Sequence, residues 1–326
     1  MTVEVYQNIY QHEILLPGNP LRAVNSYIIL SNDRNLVIDT GFNSRECKDV
    51  FMEGIENLGV DLNKTDILIT HLHSDHSGLA ADLSKKGINV YAGKIDGKLI
   101  NEMAEDEYWQ RFHEYARIFD LEKDKVSFNN HPGYRYCPKE YIEFESLEEG
   151  DLLDIGDYCL EVVDIPGHTP GHIGLYDRNH RIFFCGDHIL DKITPNISFW
   201  GFGQDILSVY FNSLKKVEKY DIDYLFTAHR NIVRDHKKRI RELFEHHEAR
   251  LNEILEIIKE KKMTVRDIAS KMHWSLRYNS WEEFPSAQKW FASGEAMSHL
   301  EHLTLIGKVK RSNENGILYY EEVKWD

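Results

Sequence analysis

The sequence predicts an α/β protein built on two packed sheets flanked by helices, with a smaller helical and hairpin-bearing unit at its C-terminus. Three observations carry this. Tyr27 to Gly41 and Ile173 to Asp187 share a pattern of strand, polar turn and strand, ending in Val37-Ile38-Asp39 and in Cys185-Gly186-Asp187. Ile67 to Tyr91 reads as strand, loop, helix (Gly78 to Lys86) and strand (Ile88 to Tyr91). Beyond His229 alternation gives way to helical periodicity.

In chain order, Val3 to Asp39 alternates apolar and polar residues between turn signals at Pro17-Gly18-Asn19-Pro20 and Asn32-Asp33, the mark of short strands. Gly97 to Tyr141 is polar, helical in its first half and aromatic-rich, with Tyr108, Trp109, Phe112, Tyr115 and Phe119 at helix-like spacing. Such spacing usually marks a core face, but a segment this long also reads as an insertion and a candidate lid. Leu152 to Asp187 is again β-rich. Ile240, Leu243, Phe244, Leu251, Ile254, Leu255 and Ile258 trace one face of a long amphipathic helix. Thr264-Val265-Arg266-Asp267 has the form of a capping box, Ser286 to Leu305 reads as a further helix, and Lys308 to Arg311 and Ile317 to Glu322 read as a hairpin around Asn313 to Gly316. Three helices and a hairpin give a winged-helix order.

A length of 326 residues fits a main domain and a companion, expected here as 1–238 and 239–326. Hydrophobic content of 42% with 29% charged residues suits a globular chain, and no run approaches the roughly 20 apolar residues of a membrane span. Met1 to Tyr10 lacks the basic and apolar segments of a signal peptide, so the cytoplasm is the expected compartment. Cys47, Cys137, Cys159 and Cys185 lie far apart without a C-x-x-C pair and read as buried free thiols rather than disulfides or a cysteine zinc cluster. A net charge of −15 disfavours a nucleic-acid partner.

The chemistry gathers at strand exits. His71-Leu72-His73-Ser74-Asp75-His76 follows an apolar run, and a histidine-rich loop alone reads equally as a solvated turn or as a metal site. Three further positions tip the balance. His168 lies in Pro166-Gly167-His168-Thr169-Pro170-Gly171-His172, Asp187 ends Phe183-Phe184-Cys185-Gly186-Asp187, and His229 ends Leu225-Phe226-Thr227-Ala228-His229. Each is a ligand-type side chain where an apolar strand ends.

The order H-x-H-x-D-H, His, Asp, His resembles the metallo-β-lactamase superfamily over roughly residues 10 to 235. That resemblance implies a four-layer αββα sandwich of the lactamase-beta-like and glyoxalase II-like branch. It also implies two divalent ions, zinc first with iron or manganese as alternatives, with His71, His73 and His168 on one, Asp75, His76 and His229 on the other, and Asp187 bridging. The implied chemistry is attack by a metal-bridging hydroxide, oriented by Asp75, on a small ester, thioester or lactone. Asp39 resembles the carboxylate that orients a metal-bound histidine, although a plain turn-forming aspartate is the equal alternative. His172 and His188 are expected to be structural, and His246 and His247 to be solvated. Phe199, Trp200 and Phe202 are candidates for a substrate wall, and ordinary packing is their alternative.

Two rival activities share the motif. A ribonuclease of the lactamase-beta-like type would use the winged helix, but residues 262 to 326 hold roughly nine basic and nine acidic side chains, without the excess nucleic acid requires. A mono-iron sulfur dioxygenase keeps the same histidines, whereas flavin-linked diiron members resemble H-x-E-x-D, which His73 disfavours. A small-molecule substrate, no membrane and a candidate homodimer complete the expectations.

Overall fold

Strands that face apolar layers on both sides are mostly apolar on both faces, and Ala23–Ile29, Asn35–Ile38 and Thr65–Ile69 are buried at every residue, with polar residues confined to Asn25, Ser26, Asn35, Thr65 and Asp66. The computed structural model describes residues 1–324. A seven-stranded sheet takes β1 (Thr2–Tyr6), β2 (Ile9–Leu15), β3 (Ala23–Ile29), β4 (Asn35–Ile38), β5 (Thr65–Ile69), β6 (Val90–Gly93) and β7 (Phe144–Leu147) in chain order. Pairing is antiparallel as far as β4 and parallel from there to β7. Parallel neighbours need crossovers. These are α1 (Arg45–Asn57), then α2 (Ser74–Ser77) with α3 (Ala80–Ser84), and then α4 (Lys94–Met103), α5 (Asp106–Ile118) and α6 (Pro132–Tyr136).

The second sheet contains β8 (Leu152–Ile155), β9 (Tyr158–Asp164), β10 (Ile173–Asp177), β11 (Ile182–Phe184) and β12 (Tyr224–Phe226), ordered β12-β11-β10-β9-β8. Its one parallel pair, β11 with β12, is bridged by α7 (Ile206–Val217). The chain continues through α8 (His236–Ile258), β13 (Met263–Thr264), α9 (Val265–Ala269), α10 (Ser286–Leu305), β14 (Val309–Glu314) and β15 (Ile317–Glu322), the last sheet being ordered β13-β15-β14. No helix among the described residues is long and apolar enough to cross a membrane.

The period-two alternation of side chains separates the layers. Ile29, Leu36, Ile38 and Leu68 turn inward to meet Leu160, Val162, Leu175, Phe184 and Phe226 of the second sheet. Their neighbours Ile28, Val37, Ile67 and Ile69 turn outward onto Phe51 and Ile55 of α1 and Leu83 of α3. On the other side, Val163, Phe183 and Leu225 meet Leu207 and Leu214 of α7 and Ile240 and Leu243 of α8. The molecule is thus the four-layer αββα sandwich implied by the resemblance.

A further apolar cluster joins Ile254 and Ile258 of α8, Ile268 of α9, Ala296 and Leu300 of α10 and Tyr320 of β15 to Phe112, Ala116 and Phe119 of the 97–141 segment. That segment opens inside α4, whose Ile100 and Met103 belong to the outer helix layer, so its start is an ordinary crossover. Asp124 then ties it to the C-terminal elements, accepting from Lys289 Nζ (2.8 Å), Arg266 Nε (2.8 Å) and Trp281 Nε1 (3.1 Å).

Several local expectations shift. The helix expected over Gly78 to Lys86 is shorter, α3 at Ala80–Ser84, and a separate helical turn, α2, precedes it in the ligand-bearing loop, with His76 N–H donating to His73 O at 3.0 Å. His247 is fully buried rather than solvated, because α10 packs across α8 and brings His299 Nε2 within 3.0 Å of its Nδ1. Cys47, Cys137 and Cys185 are buried free thiols, whereas Cys159 is partly exposed.

Candidate metal centre

β5 hands the chain to the site at Thr70, whose carbonyl accepts from Ile173 N–H (3.0 Å) and so stitches the two sheets together at this edge. His71 and Leu72 lie in a bend, His73 caps α2 with an extended backbone, and Asp75 and His76 lie on α2. His168 comes from the loop after β9, Asp187 from the end of β11 and His229 from the end of β12. Gly186 sits at φ +50°, and a Cβ there would lie 2.7–2.8 Å from the His172 ring and Thr70 Oγ1. Only glycine lets Asp187 approach this closely.

All seven candidate ligands meet. His71, His73 and His168 form one group of donor atoms lying within 4.8 Å of one another, Asp75, His76 and His229 form another, and Asp187 joins His71 and His76 in a third. Asp187 Oδ2 faces His168 Nε2 at 3.6 Å, while Oδ1 faces His76 Nε2 (3.6 Å) and His229 Nε2 (3.4 Å). Asp75 Oδ2 lies 3.4 Å from His229 Nε2.

Hydrogen bonds at the far side of each ring fix the tautomers. His76 Nδ1 donates to Asp39 Oδ2 (2.8 Å), His168 Nδ1 to Asn196 O (2.7 Å) and His229 Nδ1 to Ala23 O (2.6 Å). Those oxygens can only accept, so each Nδ1 carries a proton and Nε2 is the nitrogen left to meet a cation. His71 follows suit: Thr70 Oγ1 gives its proton to Asp39 and accepts from His71 Nδ1 at 3.1 Å. The free Nε2 of His71 then faces His73 Nδ1 at 3.1 Å.

Nε2 of His76, His168 and His229 and Oδ1 of Asp187 are buried without a hydrogen-bond partner. Each such atom costs about 1–3 kcal/mol if left unsatisfied, and four acceptors converging on one space call for cations. Burial and then neighbouring imidazoles hold His71 well below the usual histidine range and His73 down at about 3, which keeps both in the neutral, ligating form. Burial also works to lower His229, but Asp187 and Asp75 outweigh it and raise it to about 10. The carboxylate field that draws a proton there is the field a dication would meet. The residues fit divalent metal ions.

Asp39 ends β4 at φ +63° and accepts from Thr70 N–H (2.9 Å), the Thr70 hydroxyl (2.8 Å) and His76. Its two sequence readings therefore coincide: it forms the turn and it orients a histidine. His172 stacks on His71 with ring centroids 4.6 Å apart and accepts the Asp187 N–H at 3.1 Å. His188 is buried alongside Tyr210. Phe199 packs against Tyr115, Phe119 and Phe202 in edge-to-face pairs. Trp200 lies half-buried with its indole N–H unpartnered.

Sequence reasoning missed Asp96, in the first turn of α4. Fully buried, it accepts from Leu72 N–H (2.9 Å), Thr169 Oγ1 (2.5 Å) and Gly171 N–H (2.7 Å), and so clamps the two histidine loops together. Burial pushes its carboxyl up to about 6, against those donors. An aspartate in a helix's first turn carries no sequence signal for this task. Asn196, in an irregular stretch, was equally silent.

The metallo-beta-lactamase superfamily model matches residues 19–229. The chain belongs to the metallo-beta-lactamase superfamily. Among curated relatives it is 29% identical over 174 residues to an acyl-coenzyme A thioesterase of Gallus gallus, covering 51% of this chain and 58% of that protein. It is 27% identical over 165 residues to the hydroxyacylglutathione hydrolase GloC of Haemophilus influenzae, covering 50% of this chain and 65% of the relative. A beta-lactamase-like protein 2 homolog of Caenorhabditis elegans matches at 24% over 282 residues, 81% of this chain and 78% of that one. The chain thus matches less than two thirds of the length of the first two relatives. Among solved structures, a beta-lactamase domain protein of Burkholderia ambifaria superposes with a TM-score of 0.84 at 26% identity, over 99% of this chain and 94% of that one. A metallo-beta-lactamase family protein of Thermus thermophilus shares the fold with a TM-score of 0.81 at 22% identity, over 98% and 100%.

Proposed function

We propose that this superfamily member is a binuclear metal-dependent hydrolase of a small thioester, with esters and lactones as the neighbouring substrate classes. The observation that carries the reading is the paired donor set meeting at Asp187, whose two carboxylate oxygens face opposite groups of histidines. Relatives named as an acyl-coenzyme A thioesterase and an ACP thioesterase favour that bond.

In this reading His71, His73 and His168 hold one ion, Asp75, His76 and His229 hold the second, and Asp187 stands between them. Two dications, zinc first, would lower the pKa of water toward neutrality and polarise the attacked carbonyl oxygen. The chain's own groups do the rest. Burial opposes ionisation of Asp75, but His76 and His229 outweigh it and hold its carboxyl below the usual range, so it is ionised and can orient attacking water by accepting a hydrogen bond. Asp39 holds His76 by its Nδ1 proton. Trp200 packs against the apolar layers as Phe199 packs against its aromatic neighbours, but only Trp200 leaves a buried N–H without a partner, which makes it the better substrate-wall candidate. Residues 239–326 fit a winged-helix-like unit in element order, and their balanced charge supports packing onto the sandwich rather than binding nucleic acid.

The test is metal content measured together with a panel of ester, thioester and lactone substrates. Two zinc ions per chain and zinc-dependent thioester cleavage are expected. One iron per chain with no hydrolysis in the panel would replace the hydrolase with an oxygenase.

A further inference from the structure

We infer that the C-terminal helix α10 belongs to the scaffold of the metal centre, with Glu295 acting through Asn196 as a positioning residue for His168. The inference rests on the metal reading above and adds a role for a part of the chain that carries none of the ligands.

His168 has one orienting contact, the 2.7 Å bond from Nδ1 to Asn196 O, and that bond decides which ring nitrogen carries the lone pair aimed toward Asp187. Asn196 lies in the irregular stretch between β11 and α7, where no strand or helix holds it. Its anchors come from α10. Asn196 Nδ2 donates to Glu295 Oε2 at 2.9 Å and to Phe291 O at 3.3 Å, and Ser298 Oγ donates to Ile197 O at 2.5 Å. Ser198 Oγ closes the arrangement by donating to Asn196 Oδ1. Residues 291, 295 and 298 recur at helical spacing, so a single face of α10 grips the loop.

Glu295 is itself 6% exposed, and burying a carboxylate is unfavourable unless it is paired. Its partner is Arg250 of α8, with Nε 3.6 Å from Glu295 Oε1 and the guanidinium lying over the Trp274 ring at 4.2 Å. The line of contact runs from α8 through Arg250, Glu295 and Asn196 to His168. A helix packed only for stability would need no buried carboxylate aimed at the loop.

The test uses the full chain with zinc alone as the probe, bound in competition with a chromophoric chelator, beside melting temperatures of the metal-free protein. Glu295→Leu removes the acceptor and should weaken one of the two zinc sites by about 10- to 100-fold while sparing the other. Glu295→Gln keeps an acceptor oxygen for Asn196 and should hold zinc within a few-fold of wild type. Asp124→Asn, which loosens the same C-terminal cluster without touching Asn196, should lower the melting temperature and leave both zinc affinities unchanged. Ser298→Ala is a smaller lesion in the same grip and should weaken the same site to a lesser extent, which keeps the test available if Glu295→Leu does not fold. Equal zinc affinity in wild type, Glu295→Leu and Ser298→Ala would overturn the positioning role alone, as would a loss in Glu295→Gln equal to that in Glu295→Leu. A wild-type chain that takes up no zinc would overturn the metal reading and the positioning role with it.

Discussion

Asp39 shows how one side chain serves two demands that its sequence context presents as alternatives. The left-handed turn that ends β4 favours Asp, and the same carboxylate then reaches Thr70 and the Nδ1 proton of His76. Replacing it with Ala should weaken zinc binding about 10- to 100-fold, measured by chelator competition, because the ring loses its orienting partner while all ligands remain. Asp96 acts on the backbone instead. Asp96→Ala strips an anionic acceptor from three donors, and a stability loss on the order of 3 kcal/mol in denaturant titration is expected. The candidate ligands were legible in the sequence because the loops that carry them each leave an apolar strand. Asp96 and Asn196 were not, since their work depends on loops that meet only after folding, 73 to 75 residues apart for Asp96 and 28 for Asn196.

At the scale of elements, periodicity located α8 and α10 and the hairpin, but it could not say what they cover. The aromatic spacing of α5 reads correctly as a core face, yet its partners lie in α9, α10 and β15, contacts that no local pattern encodes. Asp124 pins that union, and Asp124→Asn takes the carboxylate charge from Lys289 and leaves Arg266 with Asp267 alone. A loss of about 3 kcal/mol in metal-free unfolding is expected. Glu295 contributes a pH dependence of defined sign. Burial raises its carboxyl from 4.5 to about 7, with Arg250 opposing, so between those values the folded chain holds a proton that the unfolded chain has released. Its contribution therefore falls as pH rises through that window. The melting temperature of metal-free Glu295→Gln, measured against wild type, should gain steadily between about pH 5 and about pH 7 and level off above; a constant difference would contradict the burial argument.

Across the whole molecule, two sheets converge on one edge, and every candidate ligand sits there because strand ends are where a buried framework can present polar side chains to a common space. The composition and the alternating strands made this architecture legible, and the superposition on the Burkholderia ambifaria protein over 99% of the chain extends it to the C-terminal elements. Those elements are not separable by a cut near Asp235. α8 begins at His236 and contributes Ile240 and Leu243 to the second sheet's outer layer, so a chain ending there should expose that layer and aggregate in size-exclusion chromatography. The net charge of −15 leads to the expectation of no salt-sensitive RNA binding, which fluorescence anisotropy at low and moderate salt would reveal if present. The binuclear centre is tested most directly by titrating metal-free protein with zinc while following thioester hydrolysis and bound metal in the same sample. Activity that rises until two equivalents are bound is expected; full activity at one equivalent, or none at two, would contradict it.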